Sequence, residues 1–430
     1  MRRSLPVLAL VLAVVAGACG DDSAGPTTRG PLPTTDVTID VGGGIEDQMA
    51  TLVDAAETLR GLEFIELPQV TLLSQDELGA RVAAEIDDEL DPAEIVVEEA
   101  WYVLLGILDP ETDLLQSIKD LYAEQVAGLY DADTGELLVS NTGELTPLAQ
   151  TIVVHELVHA LTDQHFEFDG VFDALTDAGR YHEASALQAL VEGDATYFQL
   201  LFLQELPVDQ RVAAVTESLQ ADTTVIDSLP DWFGEDLTFP YDSGFAFVSR
   251  IVGDRGLQGL DQVYRLMPAT TEQILHPEKY FILEPARDTP LPETALDGYE
   301  VFEEGSLGEW NLRLYLLDGV DPGEALVAAA GWGGDTYRLL WDGERVAFIY
   351  RFEGDTPRDA TELAESLVAS IKERMSVGSS AAADGVTTFV PGNDFAFVAL
   401  DGSTVWFVAA DDPVAGQALA DLVPEPEASE

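Results

Sequence analysis

The chain has 430 residues, and its 20 Lys and Arg stand against 80 Asp and Glu, which gives a formal net charge of −60 at pH 7. This balance argues against nucleic acid and anionic membrane surfaces as direct partners, because both repel a strongly acidic protein. Hydrophobic residues make up 47% of the chain, which is enough for a full core, so the composition excludes a disordered protein.

The first segment has the features of an export signal. Two arginines precede an apolar run at residues 5–18, which is too short for a membrane-spanning helix but suits a signal peptide. The single cysteine, Cys19, follows directly. We therefore predict a signal peptide at residues 1–18 and a lipid on Cys19 that anchors the protein at the extracytoplasmic face of the cell membrane. Ala16 stands where lipoproteins prefer leucine, so a freely secreted protein is the alternative.

The next two segments differ in their periodicity. Residues 19–44 are small, polar and rich in Pro and Thr in their first half, which predicts a disordered tether. Residues 45–120 are predicted to form a mainly helical region, because residues 45–59 and 91–108 carry apolar residues at helical spacing. Residues 64–73 interrupt these helices as a possible pair of strands.

A hairpin and a long helix open residues 121–320, which we predict to form the next domain. Residues 126–131 and 135–140 suit short strands joined by a turn, and the second strand could serve as an edge against which an extended peptide pairs. Thr146 then suits a helix N-cap and Pro147 a first helical position. No Gly or Pro follows until Gly170, so a helix is predicted through this stretch.

This helix carries the motif His155-Glu156-Leu157-Val158-His159. Two histidines four residues apart project from the same face of a helix, so both imidazoles can reach one Zn²⁺ ion. The glutamate after the first histidine lies close enough to serve as a general base toward an attacking water. The motif therefore predicts a zinc site with His155 and His159 as ligands and Glu156 as the catalytic residue.

Zinc needs a third protein ligand, and two residues compete for that role. His165 completes the ligand spacing of metzincin proteases, but Thr162 stands where that pattern requires the glycine that ends the helix. If the helix continues, His165 points away from the metal. Glu192 lies on a second predicted helix beside Gly193, whose small size would let two helices approach closely. We favour Glu192, with Glu183 as the next choice.

Three further side chains are candidates for contacting a metal ligand rather than the metal. Asp163 and Asp194 could each hold a ligand imidazole in the required tautomer. His165, if it is not a ligand, could cap the helix end or support the site from outside. On so acidic a chain, each carboxylate could equally be an ordinary surface charge.

The last segment, residues 321–430, changes character. Two hairpins are predicted, one turning at Asp342-Gly343 and one at Asp401-Gly402. A capped amphipathic helix at residues 356–375 separates them, and a short helix follows the second hairpin. The order ββαββα predicts a small α+β domain without a catalytic cluster.

Several motifs together resemble a family of secreted or surface-anchored prokaryotic proteins, mostly uncharacterised, that carries a gluzincin-type zinc site. The resemblance covers roughly residues 121–337, and its specific parts are the HExxH motif and the sequence EGDA at residues 192–195. The weaker parts are residues 124–131, 239–248, 271–280 and 330–337. The resemblance implies zinc bound by His155, His159 and Glu192, with Glu156 as general base.

Gluzincins commonly place a Tyr or His donor beside the carbonyl oxygen on which negative charge develops. Tyr241 and His276 are the candidates in this chain. We therefore expect an α+β protein with a mainly helical, zincin-like metallopeptidase domain and a short edge sheet, followed by the C-terminal α+β domain.

Its expected activity is zinc-dependent hydrolysis of a peptide or protein substrate. Two alternatives stay open: a surface binding or assembly protein whose zinc is structural, and a zinc hydrolase of a non-peptide amide or ester of the cell envelope.

Overall fold

The computed structural model describes residue 32 and residues 38–425, apart from residues 133, 142, 222, 318, 376–380 and 384. The predicted signal peptide, Cys19 and most of the predicted tether lie outside the described residues. The fold is α+β and mainly helical, as the sequence predicts. Among the described residues, no helix combines the length and the apolar composition needed to cross a lipid bilayer.

The end of the predicted tether is part of the folded body. The amide of Ile39 donates to the carbonyl of Glu205 at 2.8 Å, and Val41 is buried in the core. The prediction that the tether extends to residue 44 is therefore wrong at its end, because two apolar side chains in the sequence IDV pack against the helices that follow.

Four helices and one strand make up the N-terminal region. They are α1 (Ile45–Arg60), β1 (Gln69–Leu73), α2 (Gln75–Glu89), α3 (Pro92–Leu104) and α4 (Leu114–Gln125). The possible strand pair at residues 64–73 is a single strand. The amides of Ile65 and Glu66 donate to the side chain of Gln164, at 2.9 and 3.2 Å, instead of joining a sheet.

A three-stranded sheet follows, with β2 (Gly128–Asp131) and β3 (Glu136–Ser140) added to β1. The strand order is β1-β3-β2, with β1 and β3 parallel and β2 and β3 antiparallel. The prediction that the second strand of the hairpin forms an edge is wrong, because β1 pairs with its other side. The edge strand next to the helical body is β2.

The central body consists of helices packed around a long buried core. They are α5 (Pro147–Phe166), α6 (Phe168–Asp177), α7 (Tyr181–Glu205), α8 (Val208–Ser218), α9 (Asp231–Arg265), α10 (Thr271–Leu275) and α11 (Pro277–Phe281). Every residue of α5 from Leu148 to Thr162 is buried, as expected of a helix that is surrounded by others. Pro240 and Tyr241 both lie within α9.

Helices α7 and α9 cross at a pair of glycines. A Cβ atom built on Gly193 would lie 2.2 Å from the backbone carbon of Gly244, and one built on Gly244 would lie 1.9 Å from the carbonyl oxygen of Ala189. Gly193 does permit a close helix approach, as predicted, but its neighbour is α9 and not the helix with the HExxH motif.

The C-terminal region is built on a seven-stranded sheet of order β4-β5-β6-β10-β9-β8-β7. Its elements are β4 (Glu300–Gly305), α12 (Gly308–Leu317), α13 (Pro322–Ala329), β5 (Trp332–Trp341), β6 (Val346–Gly354), α14 (Pro357–Arg374), β7 (Ala381–Ala383), β8 (Val386–Phe389), β9 (Phe395–Asp401), β10 (Thr404–Ala410) and α15 (Pro413–Ala420). Both predicted hairpins and both predicted helices are present. The sheet also includes β4, β7 and β8, and its first strand precedes the predicted boundary at residue 321.

Candidate metal centre

Helix α5 holds the two histidines of the motif. It begins as the sequence predicts, with the hydroxyl of Thr146 accepting from the amide of Ala149 at 3.2 Å and Pro147 in the first turn. His155 and His159 are fully buried, and their ring centroids are 4.6 Å apart at an interplanar angle of 73°. Both imidazoles therefore face the same space between α5 and α7.

Glu192 on α7 meets both imidazoles from the opposite side. Its Oε2 atom lies 3.1 Å from Nε2 of His155 and 3.4 Å from Nε2 of His159. The predicted ligand set is thus brought together across two helices. Glu183, the next choice, lies in the first turn of α7 and pairs with Arg180 at 2.8 Å. It therefore does not belong to this site.

The three side chains fit a zinc ion. One ligand atom from each lies within 4.8 Å of the others, and a tetrahedral zinc with bonds near 2.0–2.1 Å needs ligand atoms about 3.3 Å apart. Nε2 of His159 and Oε1 of Glu192 are buried without a hydrogen-bond partner in the described part of the chain, which costs free energy unless another group, such as a metal ion, contacts them. Two histidines and a carboxylate are also a donor set of catalytic zinc sites.

The pKa shifts of His155 and Glu192 agree with metal binding. Burial lowers the pKa of His155, although Glu192 acts in the opposite direction, so the imidazole favours its neutral form. Burial opposes ionisation of Glu192, but the neighbouring His159 and His155 hold its pKa below the ordinary value. A neutral imidazole and an ionised carboxylate are the forms that bind a cation.

Glu156 lies beside the edge strand β2. A Cβ atom on Gly128 would lie 2.7 Å from Oε1 of Glu156, so only glycine lets the strand run this close to the carboxyl group. Burial raises the pKa of Glu156 well above its usual value, the charge of Glu192 acts in the same direction, and the backbone amide of Tyr130 opposes them. Glu156 is thus a buried carboxyl group between a strand edge and the predicted metal ligands.

His165 does not share this site. Helix α5 continues through Thr162, whose hydroxyl donates to the carbonyl of Val158 at 2.9 Å. Beyond it, the Nε2 atom of the exposed His165 lies 2.8 Å from the carbonyl oxygen of Glu63, to which it donates. The metzincin alternative is therefore wrong, because an uninterrupted helix turns His165 away from the other histidines. His165 instead connects the end of α5 to the loop after α1.

The two candidate supporting carboxylates have other partners. Asp194 is fully buried and forms an ion pair with the equally buried Arg60 at 3.1 Å. Asp163 accepts from the amide of Asp169 at 3.3 Å, at the turn into α6. No described hydrogen bond joins either one to an imidazole of His155 or His159, so the structure does not give them the supporting role that the sequence suggested.

Gln199, which the sequence analysis did not identify, is the residue that contacts an imidazole of the cluster and fixes its tautomer. Its Oε1 atom lies 3.1 Å from Nδ1 of His155. Because an amide oxygen can only accept, Nδ1 carries the proton and the Nε2 lone pair is available to bind a metal ion. The amide nitrogen of Gln199 lies 3.5 Å from the hydroxyl of Thr151. A signal was present, since Gln199 follows Glu192 by two helical turns and so lies on the same face of α7.

Of the two predicted donors, one lies at the site. The ring of Tyr241 is 6.3 Å from that of His155, and burial together with the charges of Glu192 and Glu156 raises its pKa well above the usual value. His276 lies between α10 and α11, where its Nε2 atom pairs with Glu309 at 2.9 Å. No described contact links it to the cluster, so the structure does not bring His276 to the site.

Comparison with known protein families finds a match for one part of the chain. A family described as a domain of unknown function (DUF8575) matches residues 298–420, which hold the seven-stranded sheet and the helices packed on it. The helical body that carries the cluster lies outside this match. No curated protein matches the chain, and no solved structure does.

Proposed function

We propose that this protein is a zinc-dependent hydrolase, a metallopeptidase of gluzincin type, whose metal is held by His155, His159 and Glu192. The observation that carries the proposal is the buried meeting of these three ligand atoms within 4.8 Å of one another. A buried group of two histidines and two glutamates, counting Glu156, has little structural use without a cation, because burying such groups costs free energy.

In amide hydrolysis, three side chains of the protein would have separate roles. Zinc, when bound, supplies a positive charge that activates water and polarises a carbonyl group. Glu156 accepts a proton from the attacking water and returns it to the leaving amine. Tyr241 donates a hydrogen bond toward the carbonyl oxygen as negative charge develops there. Gln199 keeps His155 in the tautomer that directs Nε2 at the metal.

The edge strand favours an extended peptide as the substrate. Among the described strands, β2 pairs with β3 on one side, and Gly128 brings this strand within contact of Glu156. A peptide that added to β2 as a further strand would therefore run past the general base. Peptides and proteins are the proposed substrate class for this reason.

Metal content and peptide hydrolysis test the proposal together. We expect one zinc per chain in the wild type and in Glu156→Gln, with hydrolysis of a peptide library lost in Glu156→Gln. Glu192→Ala should lose both zinc and hydrolysis, and the control Glu183→Ala should keep both. Equal zinc content in the wild type and Glu192→Ala would overturn the proposed ligand set.

The same measurements separate the two alternatives. Zinc that is bound without cleavage of any peptide would favour a structural metal in a surface binding or assembly protein. Cleavage of cell-wall fragments but not of casein-derived peptides would favour a hydrolase of non-peptide amides or esters.

We also propose that the protein is exported and carries a lipid on Cys19. This rests on the apolar run at residues 5–18 and on the position of the cysteine directly after it. Cys19→Ser should move the protein from the membrane fraction to the soluble extracytoplasmic fraction, and an unchanged distribution would contradict the lipid anchor.

A further inference from the structure

Helix α8 carries apolar side chains on its solvent-facing side. Val208, Val212, Val215 and Leu219 are between 37% and 67% exposed. Leu219 follows the last residue of the helix and keeps helical dihedral angles, with φ −69° and ψ −7°. At 3.6 residues per turn, the four positions fall within an arc of about 60° around the helix axis. These four residues, the α8 stripe, form one continuous apolar surface of the kind that marks an interaction site.

The fold does not depend on the α8 stripe, because a different side of the helix packs on the core. Ala214 and Ser218 are buried, and Ala214 belongs to the same core cluster as Val41. The hydroxyl of Thr146, at the start of α5, donates to the side chain of Glu217 at 3.0 Å. A surface helix usually turns its apolar residues toward the core and its polar residues outward. The exposed stripe departs from that pattern, which indicates that this side of α8 contacts a partner.

The side chains that border the α8 stripe are not acidic, although the chain has 80 Asp and Glu against 20 Lys and Arg. Arg211 borders it on one side and Thr216 on the other, each about 40° around the axis from the nearest stripe residue. Asp209 and Glu217, the acidic residues of α8, lie further away around the axis. An arginine beside aliphatic side chains suits the headgroup region of a lipid bilayer, where the guanidinium can reach a phosphate while the aliphatic groups contact acyl chains.

A second copy of the chain fits the α8 stripe less well than a bilayer does. Each copy carries a net charge of −60, and self-association through four aliphatic side chains would bring two such charges together, which electrostatic repulsion opposes. A bilayer with zwitterionic headgroups carries no net charge, so this repulsion is absent.

The chain enters the folded body beside the α8 stripe. The amide of Ile39 donates to the carbonyl of Glu205 at 2.8 Å, and Glu205 lies three residues before Val208. Ile39 follows Cys19, the proposed lipid site, by 20 residues, a length that spans at most about 70 Å. A lipid on Cys19 therefore holds α8 within reach of the bilayer, and such a tether raises the effective concentration of the membrane at the stripe.

We propose that the α8 stripe lies on the surface of the membrane that holds the lipid, with its aliphatic side chains at the boundary of headgroups and acyl chains and Arg211 at a lipid phosphate. This inference rests on the lipid anchor proposed above and not on zinc. It turns the N-terminal end of α5 toward the bilayer, because Thr146 contacts α8 there. His155 follows Thr146 by nine residues, or about 14 Å along the helix axis, so the candidate metal centre is held close to the membrane surface.

A quenching experiment on the lipidated full chain tests this contact. The sequence has one cysteine, so Val212→Cys supplies the only free thiol once Cys19 carries its lipid. In phosphatidylcholine vesicles, spin-labelled phosphatidylcholine should quench a fluorophore on this thiol at least about twofold more than a fluorophore on the control Val414→Cys. Val414 is exposed and lies on α15, which packs on the seven-stranded sheet. Equal quenching at the two positions would overturn the proposal.

Other occupants of the α8 stripe would give different results with the same label on Val212→Cys. Emission that shifts to the blue without vesicles, as the protein concentration rises, would assign the stripe to a second copy of the chain. Emission that is already blue-shifted at every protein concentration, and that vesicles leave unchanged, would assign it to another segment of this chain. Either result overturns the membrane contact.

Substitution of the stripe measures its own contribution in the lipidated protein. Thr216→Cys places a fluorophore beside the stripe, and adding Val208→Gln/Val212→Gln should reduce its quenching by the spin-labelled lipid at least about threefold. The matched control Val327→Gln/Val414→Gln changes two valines elsewhere and should leave the quenching unchanged. All four valines are exposed, so these substitutions should leave the fold intact. Unchanged quenching in the stripe variant, or an equal reduction in both double variants, would contradict the proposal.

Thiol labelling of the wild type separates failure of this inference from failure of the lipid anchor. A wild-type chain that reacts with a thiol reagent after denaturation carries no lipid on Cys19, and the anchor and the membrane contact of α8 then fail together. A chain that does not react and that floats with the vesicles, but whose label on Val212→Cys is not quenched, keeps the anchor and loses the membrane contact. Zinc content and peptide hydrolysis test the metallopeptidase proposal independently of both.

Discussion

At the residue scale, the orientation of His155 depends on Gln199, which holds Nδ1 at 3.1 Å. Gln199→Leu would remove the acceptor and leave the tautomer undirected, so we expect zinc affinity to fall roughly 10- to 100-fold. Competition with a chromophoric chelator would measure this change. Gln204→Leu, at an exposed position on the same helix, is the control. An unchanged zinc affinity in Gln199→Leu would remove Gln199 from the metal site.

His182 gives a pH dependence that is separate from the metal centre. Burial lowers its pKa from 6.5 to about 4, and the charge of Arg180 contributes. Because the pKa is lower in the folded chain, the unfolded chain binds the proton first, so the stabilisation is complete above about pH 6.5 and is lost as the pH falls toward 4. The contribution is of the order of 3 kcal/mol.

Urea unfolding from pH 7.5 to pH 4.5 checks this dependence. The free energy of unfolding should fall more steeply with acidification in the wild type than in His182→Gln, whose amide does not titrate. Parallel curves for the two proteins would show that His182 does not titrate with a lowered pKa.

At the scale of elements, the position of α7, which carries Glu192, depends on its crossing with α9. Gly193→Ala would place a methyl group 2.2 Å from the backbone of Gly244, and backbone cannot move aside as a flexible side chain can. We expect a loss of about 3 kcal/mol or more in the free energy of unfolding, measured in urea.

A second glycine provides the matched control. Gly170 lies in α6, and a Cβ atom there would meet nothing within 4 Å. Gly170→Ala should therefore stabilise the protein slightly, by about 1 kcal/mol or less. If Gly193→Ala were as stable as Gly170→Ala, the close contact between α7 and α9 would be wrong.

The same pair of helices is also joined to α1 by Arg60. This fully buried guanidinium contacts Asp194 of α7 at 3.1 Å and Asp261 of α9 at 2.8 Å, and the ring of Phe198 lies 5.6 Å from its central carbon. Asp194 follows the proposed metal ligand Glu192 by two residues. The run EGDA at residues 192–195 thus combines a proposed metal ligand, a helix contact and an ion pair, each with a different partner.

At the scale of the whole molecule, a net charge of −60 acts against the compact state. Salt shortens the Debye length from about 10 Å at 0.1 M to about 3 Å at 1 M, so it relieves this repulsion. We expect the Tm to rise by roughly 3 °C or more between 0.05 and 1 M NaCl and then to level off. Potassium chloride should act equally, and a Tm that falls with salt would contradict the screening argument.

Local patterns in the sequence determined the helix that carries His155 and His159 and the positions of both imidazoles on it. Thr146, Pro147 and the spacing of His155 and His159 specify a capped helix with two imidazoles on one face, because caps and helical periodicity depend on residues within a few positions of each other. Glu192 could be proposed for a similar reason, as a glutamate on a second helix with a small neighbour. The two C-terminal hairpins were likewise predictable, since each turn carries its own signal.

Tertiary structure alone decided what surrounds these residues. Arg60 and Asp194 pair across 134 positions, and the edge strand next to Glu156 is β2 because β1 covers the other side of β3. The close contact between Gly193 and Gly244 also joins two helices that are distant in sequence. No short-range pattern encodes such pairings, because a buried charge or a close backbone approach is satisfied by whichever element packs there, and that depends on the whole core.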